Sequence, residues 1–238
     1  MKQPQIVMSD IAVGQHNADL DAATDRLIKG DTYKDVSTAI VIPTRGMIPA
    51  KVVQNWMGLM TPMNQKVCRV FIENMEVGDA YNAAVQMILD HPELSKWKYM
   101  LTLEEDNMPP MDGLLKLYAA MGESKGRYSA IGGLYWTKGP GGQPMCYGEP
   151  VGVLNFIPQI PKPDALTECN GLGMGFTLFK IDTFRKLEPP WFVTKQEKGA
   201  QYTQDLFYFE KARKAGLRVA CDSRVLVGHY DVSEDIVW

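Results

Sequence analysis

No run of about 18 apolar residues occurs in the 238-residue chain, so the sequence offers no transmembrane helix. Its opening residues lack the pattern of a signal peptide, which leads to the expectation of a cytoplasmic protein. A dominant charge is missing too. The 25 Lys and Arg against 28 Asp and Glu leave a net charge of −3, which excludes a global basic field for nucleic acid or an anionic membrane. Cysteine is scarce: Cys68, Cys146, Cys169 and Cys221 stand far apart, match no metal-binding spacing and read as reduced, partly buried thiols. There is no Walker-type lysine loop, no internal repeat and no low-complexity tract. What remains is an ordinary globular composition, for which one large domain is the natural expectation.

The stretch that organises the chain is Lys98–Pro110. An apolar run from Tyr99 to Leu103 stops at three consecutive carboxylates, Glu104, Glu105 and Asp106, and Pro109 and Pro110 follow. A short apolar run with a sharp boundary reads as a buried strand, and the prolines cannot continue its ladder. The acids therefore stand at a strand end, where mutual repulsion is relieved by solvent or by a divalent cation.

Around this stretch the first half alternates. Strands are expected over 38–42, 66–72, 99–103 and 128–134, and helices over 49–60, 78–90 and 111–121. That rhythm implies an α/β domain with a mostly parallel sheet flanked by helices. Parallel strands end on one side, so Thr44-Arg45, Glu73-Asn74 and the acidic triplet should converge on one edge, the usual place of a ligand crevice. Residues 1–36 are weakly patterned and read as an N-terminal extension with one helix over 19–29. The domain is expected over 37–238, with a nucleotide-binding half to about 135 and an acceptor half from about 136. In that second half the sequence suggests a loop or loose hairpin over 136–150, an extended segment over 157–164 and a glycine-rich turn at 170–175. A strand over 176–180, a brief helix over 182–186, a polar loop over 194–203, a helix over 204–215 and closing strands at 217–221 and 225–228 follow.

Several segments, in this order, resemble the GT-A (Rossmann-like) glycosyltransferases, especially the large inverting family that uses sugar nucleotides. They are Ile-Pro-Thr-Arg-Gly after the first strand, Glu73 at the second strand end, and Gly-Asp-Ala-Tyr-Asn opening a helix at Gly78. Leu-Glu-Glu-Asp-Asn-Met-Pro-Pro, Ile-Gly-Gly-Leu-Tyr-Trp, Gly171–Gly175, Thr-Gln-Asp at Thr203 and Val-Gly-His ending at His229 follow. The resemblance spans roughly residues 38–230. It implies an acceptor-side extension on the fold and a nucleotide-sugar donor, with UDP as the expected nucleotide. Pro43, Thr44, Arg45, Glu73, Asn82, Glu104 and Glu105 would bind the nucleotide. Asp106, His229 and Glu104 would hold Mn²⁺ or Mg²⁺, Asp205 would be the catalytic base, and Trp136, Gly173 and Trp191 would lie on the acceptor side. Two departures stand out: Glu replaces Asp within the metal motif usually written Asp-x-Asp, and Gln204-Asp205 replaces a Glu-Asp pair.

The chemistry suits these residue types. A departing diphosphate needs a Lewis acid on oxygen ligands, an imidazole would favour Mn²⁺, and an attacking hydroxyl needs a base. At a helix start, the dipole is expected to hold the Asp205 carboxyl down. Each residue also has a plainer expectation: Asp205 as a helix-terminal charge, His229 as a backbone-bonded histidine, Trp136 and Trp191 as core or rim. Rival functions are a sugar-nucleotide nucleotidyltransferase, a non-catalytic carbohydrate-binding relic, and a viral enzyme glycosylating a hydroxymethylated DNA base in the host cytoplasm. For the last of these, Lys211, Arg213, Lys214 and Arg218 would face phosphates. The hydroxyl acceptor is otherwise open: a glycan, a small molecule or a modified base.

Overall fold

The computed structural model describes residues 3, 5–8, 25, 28–29, 34–197 and 200–238. The helix expected over 19–29 lies, apart from three positions, outside the described residues. In chain order the strands are β1 (Gln5–Met8), β2 (Thr38–Thr44), β3 (Val67–Glu73), β4 (Tyr99–Leu103), β5 (Asn107–Met108), β6 (Ala130–Leu134), β7 (Cys146–Tyr147) and β8 (Leu166–Cys169). They continue with β9 (Gly171–Leu172), β10 (Phe176–Lys180), β11 (Lys195–Glu197), β12 (Ala200–Tyr202), β13 (Val219–Leu226), β14 (Gly228–Asp231) and β15 (Ile236–Val237). The helices are α1 (Ala50–Met57), α2 (Val77–Asp90), α3 (Gly113–Glu123), the single turn α4 (Ile181–Phe184) and α5 (Gln204–Lys214).

Eight strands form the central sheet in the order β1-β3-β2-β4-β10-β6-β13-β8. β2 is parallel to β3 and to β4, and β13 is parallel to β6. β10 runs antiparallel between β4 and β6, and β1 and β8 are antiparallel edges. The result is a mixed α/β fold with a large, mostly parallel sheet flanked by helices.

The sheet has a core on each face, which explains its continuous apolar runs. In β2, Ala39 and Val41 pack on one side with Tyr81, Val85 and the aromatic group of Phe179, Phe184, Phe192 and Tyr208. Ile40 and Ile42 pack on the other with Trp56 of α1 and Leu114 and Leu117 of α3. Phe192 and Tyr208 stack at 4.9 Å, tying the 191–192 segment to α5.

The structure revises two expectations about the ends of the chain and adds an edge strand that the sequence does not announce. Gln5–Met8 belongs to the sheet, since β1 pairs along β3 from Gln5↔Glu73 to Met8↔Val70. The closing strands expected at 217–221 and 225–228 are one strand, β13. It is interrupted by an irregularity between Asp222 and Leu226, followed by β14. The buried Asp222 carboxylate there accepts hydrogen bonds from both the backbone N–H and the guanidinium of Arg224. Finally, Leu166–Cys169, with no apolar alternation to announce it, forms the far edge as β8.

Candidate active site

The carboxyl ends of β2 and β4 open on a cleft of about 350 Å³, within the range of small-molecule sites. Met75 and Val77 supply its apolar wall; Thr44, Arg45, Glu104, Glu105 and Asp106 supply its polar one, and Pro43 closes the β2 side. Glu105 clamps the loop after β2. Its Oε2 accepts hydrogen bonds from Thr44 Oγ1 (2.8 Å) and the Arg45 N–H (2.9 Å), and its other oxygen pairs with the Arg45 guanidinium. Arg45 nonetheless stays largely in solvent, at 86% side-chain exposure, so its charge remains accessible to a ligand.

Asp106 and His229 are joined by a small three-stranded sheet, β15-β14-β5. β5 begins one residue after Asp106 and pairs antiparallel with β14, placing Asn107 opposite His229. The Tyr230 N–H also donates to the Asp106 carbonyl at 2.7 Å. Asp106 Oδ2 then lies 3.4 Å from His229 Nε2 and 2.6 Å from Lys138 Nζ. Burial pushes the Asp106 carboxyl up, but His229 and Lys138 outweigh it and hold the group down at about 2. His229 Nδ1 is 2.8 Å from the Trp136 carbonyl. A carbonyl only accepts, so Nδ1 carries the hydrogen, and the ring turns its Nε2 toward the Asp106 carboxylate.

Glu104 is a different kind of acid. It lines the cleft, but its Oε1 accepts a hydrogen bond from the buried Tyr81 hydroxyl at 3.1 Å. Burial first, then the neighbouring charges of Asp106 and Asp205, raise it to about 8, so it is mainly protonated at neutral pH. Asp205 is the second residue of α5 and only 5% exposed. Its carboxyl is raised because burial outweighs its hydrogen bonds to Thr203 and the Leu206 N–H, contrary to the expectation that the helix dipole would depress it. The Asp205 charge helps to raise Glu104, Tyr81, Tyr135 and Tyr147, and its burial sets it apart from a solvated helix tip.

Other expected site residues are engaged in packing. Asn82 Oδ1 accepts from the Trp191 and Phe192 N–H groups at 2.9 and 3.1 Å, and its Nδ2 donates to the Phe192 carbonyl at 2.6 Å. It therefore anchors the 191–192 segment instead of facing a nucleotide. Trp191 is corrected likewise: it is 4% exposed, its indole N–H donates to the Phe184 and Leu187 carbonyls, and it offers no acceptor platform. Trp136 is half-buried and contributes its carbonyl to His229. At Gly173 an added Cβ would come within 2.1 Å of Tyr135 Oη, so this glycine secures a close approach. The Tyr135 hydroxyl, held there, accepts from the Gly175 N–H at 2.9 Å. Glu73 sits at the same sheet edge with its Oε2 on Gln5 Nε2 at 2.7 Å.

The basic group expected to meet phosphates is internally paired. Arg218 and Arg213 contact Glu168, Lys214 pairs with Glu210, and Lys211 caps the Glu188 and Pro190 carbonyls. The residue that sequence reasoning missed is Lys138. Its only signal was a lone cation in a glycine-rich loop following a strand of the parallel set.

Among the described residues no three or more His, Cys, Asp and Glu gather as a metal cage, so Glu104 does not complete a three-ligand set with Asp106 and His229. Those two do fit a divalent cation as a partial set. The carboxylate is held ionised, and a backbone carbonyl fixes the histidine with Nε2 turned toward that carboxylate, the usual way a ligating histidine is oriented. A site of this kind is completed by phosphate oxygens and water.

The STIV protein A197 has a crystal structure similar to this one, with a TM-score of 0.60 and 18% identity, covering 84% of this chain and 92% of that one. That likeness establishes a shared fold. S. aureus TarS in complex with UDP-GlcNAc aligns with a TM-score of 0.48 and 11% identity, over 80% of this chain and 58% of its own. This second likeness is too distant to bear on the chemistry. No protein-family model matches the sequence, and no curated protein matches it. Among the described residues no helix is long and apolar enough to cross a membrane.

Proposed function

We propose that this protein is a glycosyltransferase that moves a sugar from a nucleoside-diphosphate donor, with UDP as the expected nucleotide, to a hydroxyl acceptor with inversion. The observation that carries this reading is a pair of unlike acids whose charges both act on Glu104, a residue of the cleft wall. Asp106 is an ionised carboxylate facing the His229 Nε2 at 3.4 Å, and Asp205 is a buried carboxyl with its pKa raised. One acid suits a cation and the other suits a proton, which is how acid and base roles are separated within a site.

Thr44 and Arg45 would orient the nucleotide at the open end of the cleft, the Arg45 guanidinium, paired with Glu105 yet 86% exposed, lying within reach of an anion. Asp106 and His229 would hold Mn²⁺ or Mg²⁺, which when bound supplies the Lewis acid that stabilises the departing diphosphate. Asp205 would accept the proton of the acceptor hydroxyl as that oxygen attacks the anomeric carbon, and the raised pKa makes it a stronger base than a solvated carboxylate. Glu104, protonated near neutrality, would leave the inner wall uncharged beside Asp205 and so spare it a second repelling carboxylate. Single displacement then inverts the anomeric centre, with no separate carboxylate assigned as nucleophile.

The test is a panel of nucleotide sugars incubated with the protein and Mn²⁺, read by release of nucleoside diphosphate. Release from one donor class supports the reading, and Asp205→Asn should suppress it. A protein that binds none of the donors and releases no nucleotide would not be a glycosyltransferase of this kind.

A further inference from the structure

Lys138 is the closest polar contact of the Asp106 carboxylate, at 2.6 Å, and it meets the same oxygen that faces His229 Nε2. It is carried by a hairpin whose base is firm and whose tip is free. At the base, Trp136 bridges Pro144, the Thr137 N–H donates to the Gln143 carbonyl at 2.9 Å, and the Gln143 N–H donates to Thr137 Oγ1 at 2.8 Å. Toward the tip, Gly139 and Gly141 have φ of +94° and +81°, and a Cβ built on either would meet nothing within 4 Å. The Trp136 carbonyl that fixes His229 belongs to the firm base. Lys138 can therefore leave Asp106 without disturbing the histidine.

We propose that Lys138 is a stand-in for the divalent cation: it neutralises Asp106 while no metal is bound, and moves onto the donor diphosphate when metal arrives. The inference rests on reading the site as one for a diphosphate donor and a divalent cation. An ammonium and a divalent cation compete for one carboxylate oxygen because each repels the other at contact distance. Its flexible four-carbon stem lets Lys138 be displaced without unfolding the hairpin, and a diphosphate in the adjoining cleft offers it new acceptors. The device keeps the Asp106 carboxylate paired, 2.6 Å from Lys138 Nζ and 3.4 Å from His229 Nε2. It also gives the site a charge that switches from holding the ligand set to holding the leaving group.

The experiment uses the full chain as wild type, Lys138→Gln, Lys138→Arg and Asp106→Asn. Mn²⁺ alone is titrated and followed by the paramagnetic resonance of the free ion, and UDP is then titrated by calorimetry at saturating Mn²⁺. Lys138→Gln should bind Mn²⁺ about two- to fivefold more tightly than wild type, the scale of losing one partly exposed ion pair. It should bind UDP with Mn²⁺ more weakly by a similar factor, while Lys138→Arg stays near wild type and Asp106→Asn loses Mn²⁺. Equal or weaker Mn²⁺ binding by Lys138→Gln overturns the proposal, and so does unchanged UDP affinity. If neither wild type nor Lys138→Gln binds Mn²⁺, the proposal falls; donor turnover without metal would then still sustain the glycosyltransferase reading. Tighter Mn²⁺ and weaker UDP binding without turnover of any donor would sustain the role of Lys138 and overturn the enzymatic one.

Discussion

Asp106 and His229, 123 positions apart in the chain, face each other at 3.4 Å because a two-residue strand beginning at Asn107 pairs with the strand that carries the histidine. The pairing makes the meeting of these two side chains a property of the backbone, since the Tyr230 N–H also binds the Asp106 carbonyl. Removing either side chain should therefore empty the site chemically while leaving the fold in place. We expect His229→Gln and Asp106→Asn each to weaken Mn²⁺ binding by at least ~10-fold, with thermal unfolding shifted little. A sharp loss of stability at unchanged Mn²⁺ affinity would make His229 a structural residue.

The Asp205 prediction separates binding from chemistry. Asp205→Asn is nearly isosteric and Asn is accepted at helix starts, so stability and donor affinity should change little. Transfer at saturating donor should fall by ~10²–10⁴-fold if the residue takes the acceptor proton. Wild-type transfer by the mutant would reduce Asp205 to a buried helix-terminal charge.

Glu104 gives the metal-free protein a pH signature. Its carboxyl ordinarily titrates near 4.5 and is raised to about 8 in the fold. Below the lower value both folded and unfolded chains hold the proton. Between the two values only the folded chain keeps it, so stability falls as pH rises through that window and levels off above it. With one edge of the side chain open to the cleft, the loss should be on the order of 2 kcal/mol rather than the full buried value. Denaturant unfolding in a chelator from pH 5 to 8.5 measures this slope, and Glu104→Gln should flatten it. An identical slope in the mutant would assign the pH dependence to another group.

Two structural predictions concern residues that the sequence presented as site candidates. Asn82→Ala leaves the Trp191 and Phe192 N–H groups without their acceptor and should cost about 1–3 kcal/mol in denaturant unfolding. Gly173→Ala drives a methyl against Tyr135 Oη and should cost about as much by overpacking, while loosening the Gly175 contact. A neutral result for Gly173→Ala would mean that the Tyr135 ring has room to shift.

The contrast between these residues and Asp106 shows what was legible in the sequence. Strand β4 and its acidic end were readable because a strand buried on both faces is a continuous apolar run, and the break into Glu104-Glu105-Asp106 is abrupt. The helices α2 and α5 were readable from apolar spacing. Edge strands β1 and β8 were not, because each draws its order from a neighbour and carries no pattern of its own. Trp191 and Asn82 look like ligand residues by type, and only the packing of the 190s segment onto α2 reveals that they serve each other. The role of each acid was hidden for the same reason. Glu104, Glu105 and Asp106 are adjacent in sequence, but Tyr81, Arg45 and Lys138, which distinguish them, come from three distant segments.

The central claim, a nucleotide-sugar transferase with Asp106 at its cation and Asp205 at its proton, is tested most directly by nucleotide release. Wild type, Asp106→Asn and Asp205→Asn would be assayed with UDP-sugars, with and without Mn²⁺, alongside donor binding by calorimetry. The account expects Mn²⁺-stimulated release by wild type, loss of donor binding in Asp106→Asn, and retained binding without turnover in Asp205→Asn. Equal release by all three proteins, or no binding of any donor by the wild type, would contradict it.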